Sequence, residues 1–192
     1  MTTPTPAPSR YPAPALDALP DDIRERILAV QEKAGFVPNV FLLLARRPDE
    51  FRAFLAYHDA LMDKREGLSA AEREMIVVAV SGANNCLYCV VAHGAILRVR
   101  AKDPRIADLV ATNYRKAGLP PRQRAMLDYA LKVALEAHRV EEADRDALRA
   151  AGFDEEEIWD IAAIAAFFSM SNRLANATDL RPNPEFHMLG RG

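Results

Sequence analysis

Apolar residues recur every three or four positions along most of this chain, with charged or polar side chains between them, which is the pattern of amphipathic helices. Six segments with this pattern, bounded by glycine, proline or capping residues, are predicted to be helical: 21–34, 37–44, 48–65, 104–110, 121–138 and 141–150. The sequence contains no strand-like alternation bounded by turns. The predicted fold class is therefore all-α.

Two further helices are predicted to be central because they carry almost no charge. Residues 69–72 form a capping box, with a serine oxygen for the free amides and a glutamate three residues on, so a helix should begin at Ala70 and close at Gly82. Residues 154–157 repeat this pattern before a second such helix, which reaches Ala177. Helices without a charged face are usually buried. The repeat suggests two related helical halves.

The reactive residues lie in an apolar stretch that spans the first of these helices and the next one, predicted from Cys86 to about Ala101. Both cysteines of the chain are here, and the titratable side chains between residues 75 and 97 are Cys86, Tyr88, Cys89 and His93. Apolar surroundings can shift the pKa values of such groups, as active sites commonly require. We interpret the Cys86–Cys89 pair as a redox-active dithiol.

Helix geometry places a carboxylate beside this dithiol. Two helices joined by a short turn run nearly antiparallel, so positions equidistant from the turn come level. Glu74 precedes Gly82 by eight residues and His93 follows Asn85 by eight, which puts each about 12 Å from the turn at ~1.5 Å per residue. Glu74 shares a helix face with Ser81, and that face should meet the second helix. We expect Glu74 to orient His93 or to pass protons to it.

The second helix presents Cys86, Cys89 and His93 at positions i, i+3 and i+7, on one face. Free amides in the first helical turn and a nearby histidine both favour a thiolate. Cys89, one turn from His93, is the better placed nucleophile. After attacking a peroxide O–O bond, Cys89 would become a sulfenic acid, which Cys86 would resolve into a disulfide.

Four residues match, at every spacing, the motif of AhpD-like alkylhydroperoxidases within the carboxymuconolactone decarboxylase superfamily: Glu74, Cys86, Cys89 and His93. The resemblance extends from about residue 15 to residue 186, and residues 36–39 and 172–175 are similar to segments of the peroxidase-related subgroup. It implies an all-helical AhpD-like bundle, homo-oligomers built on trimers, and thiol peroxidase or disulfide-reductase chemistry.

By this resemblance Cys89 is the peroxidatic cysteine, Cys86 its partner, and Glu74 with His93 the proton relay. The implied partners are a peroxide, a thiol or dithiol electron donor, and further copies of the chain in a trimer or hexamer. The best-known members carry histidine where this chain has Tyr88. A phenol donates a hydrogen bond but does not shuttle protons readily near pH 7. We expect Tyr88 to support the site, with either weak peroxidase activity or a different electron donor.

Two other hypotheses use the same residues. A structural zinc site would take Cys86, Cys89 and His93, with a fourth ligand from one of four residues: Glu74, His58, His138 or His187. Closed zinc sites seldom take three ligands from one continuous helix, so we expect no metal and no other cofactor. A redox-sensing protein would use the dithiol only to switch its assembly. Superfamily members that decarboxylate lactones usually lack the cysteine pair, which argues against that activity here.

Composition limits the partners and the location. The net charge of -2 gives no electrostatic case for binding nucleic acid or an anionic membrane. Five of the 13 prolines fall within residues 1–15, which are predicted to form a flexible arm before a single helical domain over residues 16–192. The arm lacks the apolar core of a secretory signal, and a dithiol suits a reducing compartment, so we expect a cytoplasmic protein.

Four residues outside the motif are assigned structural roles. His58 should lie near a core face of its helix, and Trp159 should lie in the core or at a subunit interface. Arg73 should face solvent. Asn172 should cap a helix end, bond to Glu74 or belong to a satisfied polar patch.

Overall fold

The computed structural model describes residues 7–192, and this part of the chain is built from helices. Its ten α-helices are α1 (Asp21–Ala34), α2 (Asn39–Leu44), α3 (Pro48–Met62), α4 (Ala70–Ala83), α5 (Leu87–Ala101), α6 (Ile106–Asn113), α7 (Pro121–Glu136), α8 (Glu142–Ala150), α9 (Glu155–Ala177) and α10 (Glu185–Met188). Short 3-10 helices occur at Leu16–Ala18, Tyr114–Lys116 and Ala137–Arg139. No strand occurs among the described residues, and the predicted all-α class is confirmed.

Helix α4 forms the centre of the bundle and packs against α5, α6, α7 and α9. Its residues from 72 to 81 are all buried. The predicted capping box is present at the N-terminus of α4. Ser69 Oγ accepts from the Glu72 amide at 3.2 Å, and the Glu72 carboxylate accepts from the Ser69 amide at 2.9 Å. Asp154 and Glu157 form the same arrangement at the start of α9. The two related halves remain a prediction.

Arg73 is buried, so the prediction that it faces solvent is wrong. Its side chain is 2% exposed, and its guanidinium donates to the Glu66 carbonyl at 2.6 Å. The contacts of α4 on several sides explain the error, because a helix surrounded by neighbours has no solvent face for a charged residue.

Gly82 does not end α4, which continues through Ala83, so the predicted stop comes one residue early. A Cβ at Gly82 would lie 2.5 Å from the Ala111 carbonyl oxygen on α6. The glycine therefore permits a close approach of two helices. The turn itself depends on Asn85, which adopts the left-handed region at φ 50°, where asparagine is tolerated better than most residues.

Some predicted helix ends differ from the structure by a few residues. Helix α3 ends at Met62 instead of Arg65, and α7 ends at Glu136, where the chain tightens into a 3-10 turn. Helix α6 begins only at Ile106, because the Asp103 carboxylate accepts from the Arg105 amide at 2.8 Å and holds the preceding turn. Side-chain bonds of this kind compete with helix propagation at its ends.

The segment after α9 folds back over α5 and α2. Asn183 accepts from the Asn39 amide at 2.8 Å and donates to the Val37 carbonyl at 2.9 Å. Buried Arg98 on α5 donates to the carbonyls of Phe186 and Leu189, each at 2.9 Å. These bonds fix α10 as one wall of a cavity.

The predicted flexible arm, residues 1–15, includes residues 1–6, which lie outside the described part of the chain. Beyond them the backbone lies along the region that follows α9, where the Arg10 amide donates to the Thr178 carbonyl at 3.0 Å and the Arg181 amide donates to the Pro8 carbonyl at 2.9 Å. Within residues 7–192, no helix has both the length and the apolar content needed to cross a bilayer.

Candidate active site

The two cysteines lie at the start of α5. Cys86 is the N-cap residue, and its Sγ accepts a hydrogen bond from the Cys89 amide at 3.4 Å. Both thiols are reduced, with residue exposures of 0% for Cys86 and 2% for Cys89. The CxxC spacing places the pair at the helix end where free amides stabilise negative charge.

The geometry of the pair favours the thiolate at Cys86. A hydrogen bond from the Cys89 thiol is the main cause that lowers the pKa of Cys86 to about 7, against the opposing effect of burial. The Cys89 amide and the charge of His93 lower it further. The pKa of Cys89 is raised, first by its bond to Cys86 and then by burial. The pair therefore loses one proton readily and keeps the other.

Cys86 is the more acidic thiol, but Cys89 is the more accessible one. A cavity of about 630 Å³ opens beside α5, and its described lining residues include Cys89 but not Cys86. A molecule that enters the cavity therefore meets Cys89 first. Cys86 lies behind it, within reach of its sulfur.

The cavity is enclosed by α1, α2 and α3 on one side and by α5, α9 and α10 on the other. Its wall consists mostly of aromatic and aliphatic side chains, among them Phe36, Val40, Leu43, Ile96, Phe168 and Phe186. Polar groups are few, and His58 and His93 lie among them. A volume of several hundred Å³ with an apolar wall and a few polar groups is typical of small-molecule sites.

Glu74 and His93 meet across the α4–α5 pair, at the level given by counting from the turn. Glu74 Oε2 lies 2.9 Å from His93 Nδ1, and both side chains are largely buried. A buried carboxylate needs a donor, and the Nδ1–H of the imidazole supplies it. The Phe168 ring stands edge-on against His93, with centroids 4.8 Å apart. This contact leaves Nε2 as the free nitrogen of an oriented ring.

A polar network around Asn172 lies beside the cysteines. Asn172 on α9 donates to Ser81 Oγ at 3.0 Å and accepts from Asn84 at 3.1 Å. Asn172 also interacts with both cysteines, and Ser81 interacts with Cys89, in each case lowering the thiol pKa. Of the roles expected for Asn172, the structure shows the satisfied polar patch. Within residues 7–192 no hydrogen bond joins Asn172 to Glu74. A signal was available, since Ser81 and Asn172 are polar residues in stretches of α4 and α9 that carry almost no charge.

Tyr88 faces away from this network. Its buried hydroxyl accepts from the Val40 amide at 3.4 Å, and burial raises the pKa of the phenol above its usual value. The phenol therefore holds the start of α2 against α5 and lines the cavity. Its hydrogen bond goes to the backbone of α2, and within residues 7–192 none joins it to His93.

Two residues outside the motif lie where the sequence did not place them. His58, expected near a core face, lines the cavity opposite His93, with ring centroids 6.4 Å apart. Trp159 is 69% exposed on α9, so its assignment to the core is wrong and the interface alternative remains. Both positions depend on which distant helices pack against α3 and α9, and the local sequence pattern does not show that packing.

No group of three or more His, Cys, Asp and Glu side chains within residues 7–192 is arranged to hold a metal ion. The bond to Glu74 occupies Nδ1 of His93 and leaves Nε2 as the nitrogen that could bind a metal, so this bond does not distinguish a zinc site from a dithiol.

Comparison with known proteins agrees with this fold. A model of the carboxymuconolactone decarboxylase family matches residues 48–114, which contain the dithiol. A peroxidase-related protein from Ralstonia eutropha JMP134, described as an alkylhydroperoxidase AhpD core, is 68% identical, with 98% of this chain and 99% of that chain covered and a TM-score of 0.96. The chain belongs to the carboxymuconolactone decarboxylase family, in its AhpD-like, peroxidase-related group.

Other solved structures extend the comparison. A peroxidase-related protein from Silicibacter sp. TM1040 is 43% identical over 100% of both chains, with a TM-score of 0.93. The debrominase Bmp8, solved with 2,3,4-tribromopyrrole, is 20% identical over 88% of this chain and 89% of its own, with a TM-score of 0.74, which shows a shared fold alone. No curated protein gives a significant match.

Proposed function

We propose that this protein is a thiol-dependent peroxidase that reduces alkyl hydroperoxides or hydrogen peroxide through a dithiol–disulfide cycle. The observation that carries the proposal is the position of Cys89 on the cavity wall, with Cys86 behind it and the Glu74–His93 pair one helical turn away. One thiol can meet the substrate, a second can resolve the product, and an oriented imidazole can move the proton. The AhpD-like relatives support the same class of activity.

In the first step His93 Nε2 accepts the Cys89 proton, while Glu74 holds Nδ1–H and stabilises the resulting imidazolium. Cys89 Sγ then attacks the terminal oxygen of the hydroperoxide. An S–O bond forms as the O–O bond breaks, and the leaving alkoxide takes the proton from His93 Nε2. The products are a Cys89 sulfenic acid and an alcohol, or water when the substrate is hydrogen peroxide.

In the second step the Cys86 thiolate attacks the sulfenic sulfur of Cys89. An S–S bond forms as the S–O bond breaks, and the leaving hydroxide takes from solvent the proton that Cys86 released on ionising, so it departs as water. Cys86 is suited to this role because the Cys89 amide and the charge of His93, which both lower the Cys86 pKa, remain in place after the Cys89 thiol has been oxidised. An external thiol or dithiol donor then supplies two electrons and returns both cysteines to thiols. A reducing compartment such as the cytoplasm would provide that donor.

Cys89 is assigned as the attacking thiol because it is accessible from the cavity, even though it is the less acidic of the two. Cys86 has the lower pKa, but it is fully buried and does not line the cavity. A molecule in the cavity contacts Cys89 and not Cys86.

The test is turnover with purified protein, an organic hydroperoxide and a panel of dithiol donors, with hydroperoxide loss and donor oxidation measured together. We expect one donor equivalent to be oxidised per hydroperoxide consumed. If the protein forms its disulfide once but none of the donors sustains turnover, the result would support the redox-sensing alternative instead. Zinc content measured on the same sample would address the metal hypothesis.

A further inference from the structure

His58 is a largely buried histidine in the cavity that the proposed reaction does not use. It lies on α3, and its ring faces His93 at 6.4 Å, Phe167 at 6.2 Å and Phe168 at 6.2 Å between centroids. Its side chain is 28% exposed, in a region where the cavity also reaches Cys89. A titratable ring in an apolar cavity beside a reactive thiol is placed to contact whatever the cavity holds.

A carboxylate fixes the hydrogen-bonding character of this ring. Asp59 Oδ1 lies 3.1 Å from His58 Nδ1, and Asp59 Oδ2 accepts from Arg26 at 2.6 Å. An ionised carboxylate only accepts hydrogen bonds, so the proton of the neutral ring lies on Nδ1. Nε2 is then an acceptor, and within residues 7–192 no hydrogen bond occupies it.

The surroundings favour the neutral ring. Burial is the main cause that lowers the pKa of His58, and the charge of His93 acts in the same direction. Asp59 and Glu74 are the carboxylates that oppose it. The net direction leaves Nε2 with its lone pair near neutral pH.

We propose that His58 Nε2 accepts a hydrogen bond from the terminal O–H of a hydroperoxide in the cavity and so holds that oxygen over Cys89. The inference rests on the proposed peroxidase function and names a substrate-binding residue for it. His93 would serve the leaving oxygen and His58 the oxygen that is transferred.

The spacing of the two rings suits this division of work. Two imidazoles whose ring centroids lie 6.4 Å apart can reach the two neighbouring oxygens of one hydroperoxide through bent hydrogen bonds of about 2.7–3.0 Å. The proton that His58 contacts stays on the terminal oxygen, which becomes the hydroxyl of the sulfenic acid. His58 therefore gains and loses no proton in the step, and the balance of atoms and electrons given above is unchanged.

The test separates binding of the hydroperoxide from reactivity of the thiol. In wild type, His58→Phe and His58→Gln, two rates are measured under single turnover: oxidation of Cys89 by cumene hydroperoxide and alkylation of Cys89 by iodoacetamide, which has no O–H to offer. Phe keeps an aromatic ring against Phe167 and Phe168 but removes the acceptor, whereas the Gln side-chain oxygen retains one. His138→Phe, at an exposed position outside the cavity, is the matched control.

We expect His58→Phe to slow oxidation by roughly tenfold or more, the scale of one lost hydrogen bond to a reacting group, while alkylation stays within about twofold of wild type. His58→Gln should recover part of the oxidation rate, and His138→Phe should change neither rate. Equal oxidation rates in His58→Phe and wild type would overturn the inference. An equal fall in both rates would also overturn it, because His58 would then act on the thiol.

Two further outcomes are distinguishable. A wild-type protein that alkylates but is not oxidised by any hydroperoxide would refute the proposed function itself. If His58→Phe does not fold, Asp59→Leu provides the second variant, because it keeps the ring but removes the acceptor of Nδ1–H. Asp59→Leu should slow oxidation and spare alkylation, and unchanged oxidation in that folded variant would contradict the role of His58.

Discussion

Glu74 on α4 and His93 on α5 form a buried carboxylate–imidazole pair, with Oε2 2.9 Å from Nδ1. The pair joins the central helix of the bundle to the helix that carries both cysteines. Since each partner satisfies the other where water is scarce, removal of either side chain would leave the other unsatisfied, so a substitution that keeps a hydrogen-bonding group, such as Glu74→Gln, is needed to test the chemistry of the pair.

Replacement of Glu74 by Gln should preserve the fold and lower the reactivity of Cys89 toward peroxide by roughly 10²-fold or more, the scale of a lost acid–base partner. An amide cannot stabilise the imidazolium that forms when His93 takes a proton. The measurement is the single-turnover oxidation rate together with the pH dependence of alkylation. Glu185→Gln, which neutralises an exposed carboxylate at the cavity, is the control. An unchanged pH profile and peroxide rate in Glu74→Gln would reduce Glu74 to a structural role.

Replacement of Cys89 by Ser should abolish peroxide turnover, because the accessible nucleophile is lost. Cys86→Ser should instead leave a sulfenic acid on Cys89 that can be trapped but does not turn over with a dithiol donor. Mass spectrometry after one equivalent of peroxide identifies the modified residue. A sulfenic acid on Cys86 in the Cys89→Ser protein, with activity retained, would reverse the two roles.

The acidity of Cys86 should depend on Cys89. In wild type the ultraviolet absorbance of the thiolate should appear with a midpoint near the pKa of about 7. Cys89→Ala removes the thiol that donates to Cys86, so the midpoint should move to higher pH, toward that of an ordinary cysteine. A midpoint that does not move would mean that the helix end and His93 set the acidity without help from Cys89.

His58 should make the protein less stable in acid. Its pKa is lowered in the folded state relative to the ordinary value of 6.5, so the unfolded chain binds this proton more readily. The contribution of His58 to the free energy of unfolding is fully present above about pH 6.5 and decreases as the pH falls below that value. The free energy of unfolding, measured with urea at about pH 7 and about pH 5, should therefore fall less between the two pH values in His58→Gln than in wild type. An equal loss in both proteins would contradict the lowered pKa.

The exposed face of α9 should form a contact between copies of the chain. Trp159, Ala166 and Met170 follow one another along this face at helical spacing, and all three are exposed. We predict a homo-oligomer, trimer or hexamer, and expect Trp159→Glu to weaken it without slowing oxidation of Cys89. Light scattering gives the mass, with Leu135→Glu on α7 as the matched control. A stable wild-type monomer at micromolar concentration would contradict the prediction.

The features that the sequence predicted correctly depend on neighbours close in the chain. The capping box of Ser69 and Glu72 lies within one helical turn, and the pairing of Glu74 with His93 follows from counting along two helices joined by a short turn. Once the turn is placed, both positions are fixed by the rise of the helix.

The features that could not be predicted from the sequence depend on contacts between helices that are distant in the chain. His58 reaches the cavity because α3 packs near α5 and α9, and Asn172 reaches Ser81 because α9 packs on α4. Arg73 is buried for the same reason, since its expected solvent face is covered by packing. Periodicity identifies which face of a helix is apolar, but it does not say which helix will cover that face or which polar residue a cavity will include.

The cavity wall and the reacting groups come from different parts of the chain. The thiols and the Glu74–His93 pair are carried by α4 and α5, whereas much of the wall comes from α1 to α3 and from the segment around Phe186 that Arg98 holds in place. Substitutions in the wall can therefore alter which molecules fit while the dithiol keeps its geometry. In evolutionary terms this division would let the shape of the cavity diverge while the Cys86–Cys89 and Glu74–His93 pairs keep their positions.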